Sequence, residues 1–393
     1  MFNEETVFIL GAGASWHYGY PTGEELIKEA LRKGILLKDY FQKSMNSLEP
    51  GQIRNEEVSQ YVLEKCSELP DAWNNAYKEA KEFVRKIQEI DTLVIDHFLW
   101  HNPSLGNIGK LIIAMVLLER HTLSQRSTGN INRKDISERK EINDNWYRFI
   151  IHKLLLNCHS SKNLCENSVT FITFNYDTSL EYALEKGLKA VERLTLEDIT
   201  EFLSPPPPIK PRIIHVYGKI SKTSHIDFTA TEALDNFQIA QMGYGINISE
   251  IQERYNKAKK IIDAAYRASK SLRLIAQDEK NQNTDEILAA KAAIRKAKNV
   301  CILGYGFDEY NNSLLDLYDS LYHKEGKSIL FTNFGDYNRI NKKASWIFGK
   351  ENKMFLAGKE SIFGNKTANL SSYYCEKSTR NVYDALMYDF DLV

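Results

Sequence analysis

The sequence predicts an α/β fold: a parallel sheet with helices on both faces, interrupted by large, mainly helical insertions. Three observations lead there. Short apolar runs recur at 6–10, 169–174, 300–304 and 328–332, each of strand length. Helical segments alternate with these runs, as in a sheet joined by helical crossovers. The chain has 393 residues; at roughly 150 residues per domain, that length leaves room for two or three structural units.

The first run, TVFIL, ends at Gly11 and reads as a buried strand. Thr22 with Glu25 three residues on has the form of a capping box, and the helix it opens is expected over 23–33, stopping at Gly34. Residues 71–90, 107–121 and 142–157 carry apolar side chains at three- and four-residue spacing, which predicts a helical insertion over 36–163. The polar stretch 124–140 reads as a loop within it. Strand character returns at 169–174, followed by a helix from 178 to about 185.

Four prolines at 205–208 predict a stiff connector, with extended structure resuming over 212–217. A smaller helical insertion is expected over 220–283, with a loop at 241–247 and a charged helix over 250–277. Residues 285–298 read as helix, 300–304, 328–332 and 354–358 as strands, and 374–388 as a last helix. The core would then comprise 1–35, 164–219 and 284–393.

Lys and Arg number 51 and Asp and Glu 52, a formal net charge of −1. That balance supplies no whole-protein field for nucleic acid or anionic lipid. The five cysteines (66, 158, 165, 301 and 375) are dispersed without a C-x-x-C pair. A disulfide framework and a four-cysteine zinc site are therefore not expected. The N-terminus lacks the basic start of a signal peptide, and the longest apolar run, 111–118, is too short to span a bilayer. The expectation is a cytoplasmic protein without a bound metal.

Parallel sheets bind ligands beyond the carboxyl ends of their strands, so the residues there are informative. After the first strand stands Gly11-Ala12-Gly13-Ala14-Ser15, a turn whose glycines could let backbone amides approach a phosphate; a plain strand-to-helix turn has the same composition. After the second stands Phe174-Asn175-Tyr176-Asp177. The Asn175 amide could bind a ribose hydroxyl or a water, while Asp177 or Thr178 could simply cap the next helix. The third offers His215 and Tyr217 at alternate positions, with His215 a general base or a structural histidine. The fourth carries Gly304-Tyr305-Gly306 and the fifth Asn333. Asp96 is a further candidate, with a helix-capping role as the plainer reading.

Together these segments resemble the sirtuin superfamily. Gly11 through Ser15, read on through Gly19, Pro21, Thr22 and Gly23, resembles its opening G-A-G-x-S-x-x-x-G-x-P. Phe174 to Asp177 resembles its N-x-D segment, the stretch ending in Gly218 its H-G segment, and Gly304-Tyr305-Gly306 with Asn333 its two late adenosine-side motifs. Thr22-Gly23-Glu24 stands where protein deacylases carry Asp-Phe-Arg, and paired C-x-x-C motifs are missing. The likeness is closer to the sirtuin-like NAD hydrolases of bacterial anti-phage defence, whose members often work with a second protein such as a HerA-like ATPase or with fused sensor domains. The expectation for this chain is a homo-oligomer, with a HerA-like ATPase as the candidate partner.

The resemblance implies a Rossmann-like core with NAD as substrate. Gly11, Ala12, Gly13, Ser15, Pro21, Thr22, Gly304, Tyr305, Gly306 and Asn333 would bind it. Asn175, His215, Asp177 and Tyr217 would form the reacting end. Tyr217 stands where the family has histidine. A tyrosine near its ordinary pKa of about 10 is a poor base at neutral pH, which favours His215 as the base.

Overall fold

The computed structural model describes residues 1–46, 71–89, 94–126, 145–158, 160–205, 212–220, 228, 248–274, 284–322, 327–348, 355–356 and 374–389. They divide into two compact units. The first comprises Met1–Tyr20, Asn132–Tyr217 and Asn281–Val393; the second comprises Pro21–Ile131 and Gly218–Lys280. The longer helices are labelled α1 (Gly23–Asn46), α2 (Asp71–Glu89), α3 (Gly106–Arg126), α4 (Trp146–Leu155), α5 (Ser179–Lys189), α6 (Leu196–Leu203), α7 (Ile248–Ser269), α8 (Asp285–Lys296) and α9 (Asn338–Phe348).

The first unit holds a wholly parallel sheet of seven strands: β1 (Thr6–Leu10), β2 (Val169–Thr173), β3 (Ile213–His215), β4 (Asn299–Leu303), β5 (Ser328–Thr332), β6 (Phe355–Leu356) and β7 (Tyr374–Ser378). Their order is β3-β2-β1-β4-β5-β7-β6. Phe8 of β1 faces Phe171 of β2 on one side and Cys301 of β4 on the other. The chain winds outward through β2 and β3, then returns past β1 to build β4 and β5. This reversal makes the β1–β4 junction a topological switch point, the Rossmann-like feature that opens a crevice at the carboxyl ends.

All five residues of β1 are buried, as a parallel strand covered on both faces requires. Phe8, Leu10, Phe171, Cys301, Leu303 and Leu330 form one core cluster with the apolar stripes of α4, α5 and α6. Within it Phe8 stacks on Phe171 at 5.1 Å. The alternate residues Val7, Ile9, Val300, Ile302, Ile329 and Phe331 are buried too.

Just before β5, Lys327 is buried, and its ammonium donates to the carbonyls of Ile294 at 2.8 Å, Arg295 at 3.2 Å and Ala297. Ile294 and Arg295 lie in the last turn of α8 and Ala297 is its C-cap, where carbonyls lack partners within the helix. Lys327→Met keeps the stem and removes the donors; a loss of about 1–2 kcal/mol in urea denaturation is expected. An unchanged midpoint would show that water serves those carbonyls equally well.

In the second unit α1 packs against α2 and α3, and α3 against α7. Residues Leu111–Leu118 of α3 are all buried, so this helix lies at the unit's centre. Glu119 accepts from Arg32 at 3.0 Å and pairs with the fully buried Lys33 at 2.9 Å.

Three expectations need correction. Helix α1 does not stop at Gly34 but continues to Asn46. A β-carbon at Gly34 would lie 3.1–3.2 Å from Phe83 and Val84 of α2, so this glycine permits close helix packing inside the helix. That packing also places α1 in the second unit. Residues 374–388 are not one helix: Tyr374–Ser378 is a strand between β5 and β6, with short helical turns at Val382–Asp384 and Ala385–Asp389. Ladder pairing outweighs the local spacing there. Of the extended structure expected over 212–217, only Ile213–His215 is strand. Most of the expected loops at 124–140 and 241–247, and of the proline run at 205–208, lies outside the described residues. Among the described residues no helix is long and apolar enough to cross a membrane.

Candidate active site at the carboxyl edge of the sheet

The turns after β1 and β4 lie backbone against backbone. Gly11 N–H donates to Leu303 O at 3.0 Å and Gly13 N–H to Gly304 O at 3.0 Å. A β-carbon on Gly11 would fall 2.5 Å from Gly304 O, and one on Gly304 only 2.2 Å from Ala14 N. Gly304 also has φ of +58°. These glycines are thus demanded by the packing of one turn on the other. The β1 turn continues as two short 3₁₀ turns, Ala12–Ala14 and Trp16–Tyr18. Ala14 N–H donates to Gly11 O at 2.9 Å and Ser15 N–H to Ala12 O at 3.3 Å. The Gly13 and Ser15 amides are therefore engaged. Ala12 N–H has no acceptor among the described residues. From outside, the Trp146 indole N–H donates to Ala14 O at 2.8 Å and pins the turn to α4.

Asn175 follows β2 and leans on this turn. Its side-chain nitrogen lies 3.0 Å from Gly11 O and 3.2 Å from Ser15 Oγ. A carbonyl only accepts, so the nitrogen side of the amide is fixed by chemistry. Both Nδ2 hydrogens are thereby directed inward, and Oδ1 is the group left to accept from something else. The main chain is held as well. Asn175 N–H donates to Thr173 Oγ1 at 3.0 Å, and Asn175 O meets His215 Nδ1 at 3.0 Å.

Asp177 is buried at the start of α5. Its Oδ1 accepts from Ser179 N–H at 3.0 Å and from Ser179 Oγ at 2.5 Å, and Tyr147 OH lies 2.6 Å from Ser179 Oγ. Burial pushes the Asp177 carboxyl above its ordinary range, while hydrogen bonds from Ser179 and Ser15 work the other way. Burial, together with the nearby Asp177 charge, also raises the Tyr20 and Tyr147 hydroxyls well above 10.

His215, the last residue of β3, is buried with each ring nitrogen facing an acceptor: Nδ1 the Asn175 carbonyl, Nε2 the Glu181 carboxyl at 2.8 Å. Nδ1 must carry hydrogen, and the second contact needs one proton, on either partner. Glu181 lies on α5 one turn after Asp177. Tyr217, also buried, donates to Asn311 Oδ1 and packs near Phe174 and Tyr176.

On the β4 side, Tyr305 stacks on Phe174 at 5.2 Å and donates to Asn312 Oδ1 at 2.9 Å. Burial holds its hydroxyl far above 10. A β-carbon at Gly306 would meet nothing within 4 Å. Asn333 works inside its own loop: Nδ2 donates to Tyr337 O at 3.0 Å and Asn341 Oδ1 at 2.8 Å, and Oδ1 accepts from Tyr337 N–H at 3.3 Å.

The structure therefore brings together Gly11, Ala12, Gly13, Ser15, Asn175, Asp177 and His215 through direct contacts, with Gly304 against the same turn. Pro21, Thr22 and Asp96 belong to the second unit. There Thr22 and Glu25 form the expected capping box: Thr22 N–H donates to Glu25 Oε2 at 2.8 Å, and Thr22 Oγ1 lies 3.5 Å from Glu25 N. Asp96 sits in the first turn of the helix Ile95–His101, where a carboxylate is favoured. Sequence reasoning missed Glu181, Ser179 and Tyr147. Ser179 and Glu181 follow Asp177 at steps of two and four, a weak signal. Tyr147, 32 residues from Ser179 in the chain, has no sequence signal. Among the described residues no group of three metal-ligating side chains occurs.

A family model described as a SIR2-like domain matches residues 169–345. That span holds Asn175, Asp177, His215, Tyr217, Gly304 and Asn333 but not the Gly11–Ser15 turn. Comparison with curated proteins and with solved structures found no match.

Proposed function

We propose that this chain hydrolyses NAD⁺, cleaving the bond between nicotinamide and ribose to give nicotinamide and ADP-ribose. The SIR2-like domain supports use of NAD. The observation that carries the reading is the fixed amide of Asn175. With both Nδ2 hydrogens committed to Gly11 O and Ser15 Oγ, Oδ1 can only accept. That suits a ribose hydroxyl or an attacking water, both of which donate.

In the reaction the C–N bond electrons leave with nicotinamide, which departs neutral. The ribose develops oxocarbenium character and takes a water oxygen, and the water's proton must be removed. Asn175 orients the water or ribose. The paired His215 and Glu181 form the proton acceptor, which requires one His215 contact to open. Ala12 offers its amide to the diphosphate, with Gly13 and Ser15 shaping the turn. Tyr305, Gly306 and Asn333 belong to the wider binding set of this reading.

As an NAD-depleting effector the protein would serve anti-phage defence and need restraint. The proposed restraint is assembly, with copies of itself or with a HerA-like ATPase.

A second reading is favoured by one observation. Both His215 nitrogens already meet protein groups, and the Tyr217 hydroxyl is bonded to Asn311. A chain so arranged could bind NAD or ADP-ribose as a regulatory subunit without turning it over. Protein deacylation is a third, less supported by the motifs. Incubation of the purified chain with NAD⁺ separates them. Equimolar nicotinamide and ADP-ribose are expected. Binding without release supports the regulatory reading, and release only with an acylated peptide supports deacylation. His215→Ala should lower turnover about 10²-fold or more, in line with the loss of a general base; wild-type rates in that variant would remove His215 from the chemistry.

A further inference from the structure

We infer that Tyr147 and Ser179 are positioning residues that, through Asp177 and Ser15, hold the Asn175 amide in the orientation that NAD⁺ cleavage needs, an inference that rests on the reading above. Neither residue touches Asn175. They act at the far end of a buried chain: Tyr147 OH to Ser179 Oγ at 2.6 Å, Ser179 Oγ to Asp177 Oδ1 at 2.5 Å, and Asn175 Nδ2 to Ser15 Oγ at 3.2 Å. Ser15 closes the chain: its side chain favours the ionised form of Asp177, and its hydroxyl also lies 3.4 Å from Ala12 O.

The direction of each bond follows from what each group can do. An ionised Asp177 only accepts, so Ser179 and Ser15 both give it their hydroxyl hydrogens. Ser179 Oγ is then free to accept, and Tyr147 donates to it. Ser15 Oγ likewise accepts, and the hydrogen comes from Asn175 Nδ2. Two chains of donors thus end on one carboxylate, and the second of them fixes which way the amide points. With Ser179 satisfying part of Asp177, Ser15 keeps its hydrogen on Asp177 and its lone pair toward Asn175. Removing Ser179 Oγ takes a donor from Asp177, and removing Tyr147 OH weakens that donor, so in both cases the carboxyl protonates more readily. A protonated Asp177 donates to Ser15 Oγ, which then turns its own hydrogen to the Ala12 carbonyl 3.4 Å away and no longer holds the amide as before.

The remaining charged and titratable groups facing Asp177 are Glu181 on α5, whose like charge opposes its ionisation, Tyr147 on α4, and Tyr20 after the first turn. Glu181 is itself paired with His215. Ser179 is therefore the strongest aid to Asp177 ionisation in the set. Turnover that depends on ionised Asp177 is lost as pH falls through its pKa. Removing Ser179 Oγ raises that pKa and should move the acid limb upward.

Ser179→Ala and Tyr147→Phe test this. Tyr147 stacks face to face on Tyr18 at 3.8 Å, and phenylalanine retains that contact. Each variant should lower kcat about tenfold with KM for NAD⁺ within about twofold, the scale of one buried hydrogen bond. The acid limb of the kcat profile should shift to higher pH, most in Ser179→Ala. Unchanged kcat, or a fall with an unmoved acid limb, overturns the inference. A second readout needs no turnover. Amide exchange at Gly11, Gly13 and Ala14 should quicken about fivefold or more in both variants, with β1 and β4 unchanged. Unaltered exchange there overturns the positioning role. Wild-type protein that releases no nicotinamide would instead overturn the hydrolase reading, and the exchange result alone would then judge the relay.

Discussion

Asn175→Ala should reduce nicotinamide release by about 10²–10⁴-fold while leaving the fold almost untouched, a separation that follows from who else serves Asn175's partners. Gly11 O, the carbonyl under Nδ2, also accepts from Ala14 N–H at 2.9 Å. Losing the side chain therefore leaves no buried carbonyl without a donor, and the stability cost should stay near about 1 kcal/mol. The main-chain anchors from Thr173 and to His215 survive the substitution. What disappears is the outward acceptor. Asn175→Asp is the sharper companion. It keeps the shape, but a carboxylate cannot donate to Gly11 O and would stand near buried Asp177. It should lose activity and stability together. Measured by nicotinamide release and by urea denaturation, Asn175→Ala within about threefold of wild-type turnover would end the proposed role of this amide.

The sheet was open to sequence reading because its strands carry local signals. β1, β2, β4 and β5 are short apolar runs, and each sits between polar or glycine-bearing turns. β7 was not, because YCEKS has no such run and gains its order from pairing with β5 and β6. The same limit applies to Gly34. As a letter it marks a helix end, yet in the fold it is the point where α2 needs room. At the site, Asn175, Asp177 and His215 stood out because they follow strands. Their partners did not: Tyr147 comes from α4, Glu181 from an ordinary amphipathic helix, and neither position has a distinctive neighbour. Sequence pattern marks strand ends well because the chain must turn there. It marks poorly the side chains that reach those ends across the fold.

The two glycines after β4 should behave oppositely, although their sequence context is the same. Gly304→Ala should cost about 3 kcal/mol: roughly 1–2 for a side chain in the left-handed region and roughly 1–3 for overpacking. Its φ is +58°, and the new β-carbon would sit 2.2 Å from Ala14 N and 2.4 Å from Gly13 C. Those are backbone atoms, which cannot rotate aside as a side chain would. Relief would require parting the two turns, and with them the bonds from Gly13 N–H to Gly304 O and from Gly304 N–H to Thr332 Oγ1. Since Asn175 rests on the same β1 turn, turnover should fall too. Gly306→Ala meets nothing within 4 Å and should leave stability within about 0.5 kcal/mol of wild type. If a ligand's backbone-close approach requires a glycine in this turn, Gly306 is where it can be felt. The expected signature is a raised KM for NAD⁺ at wild-type stability. Denaturation midpoints and Michaelis constants for both variants decide it: equal stability losses would show that the contact between turns is not what selects glycine at 304.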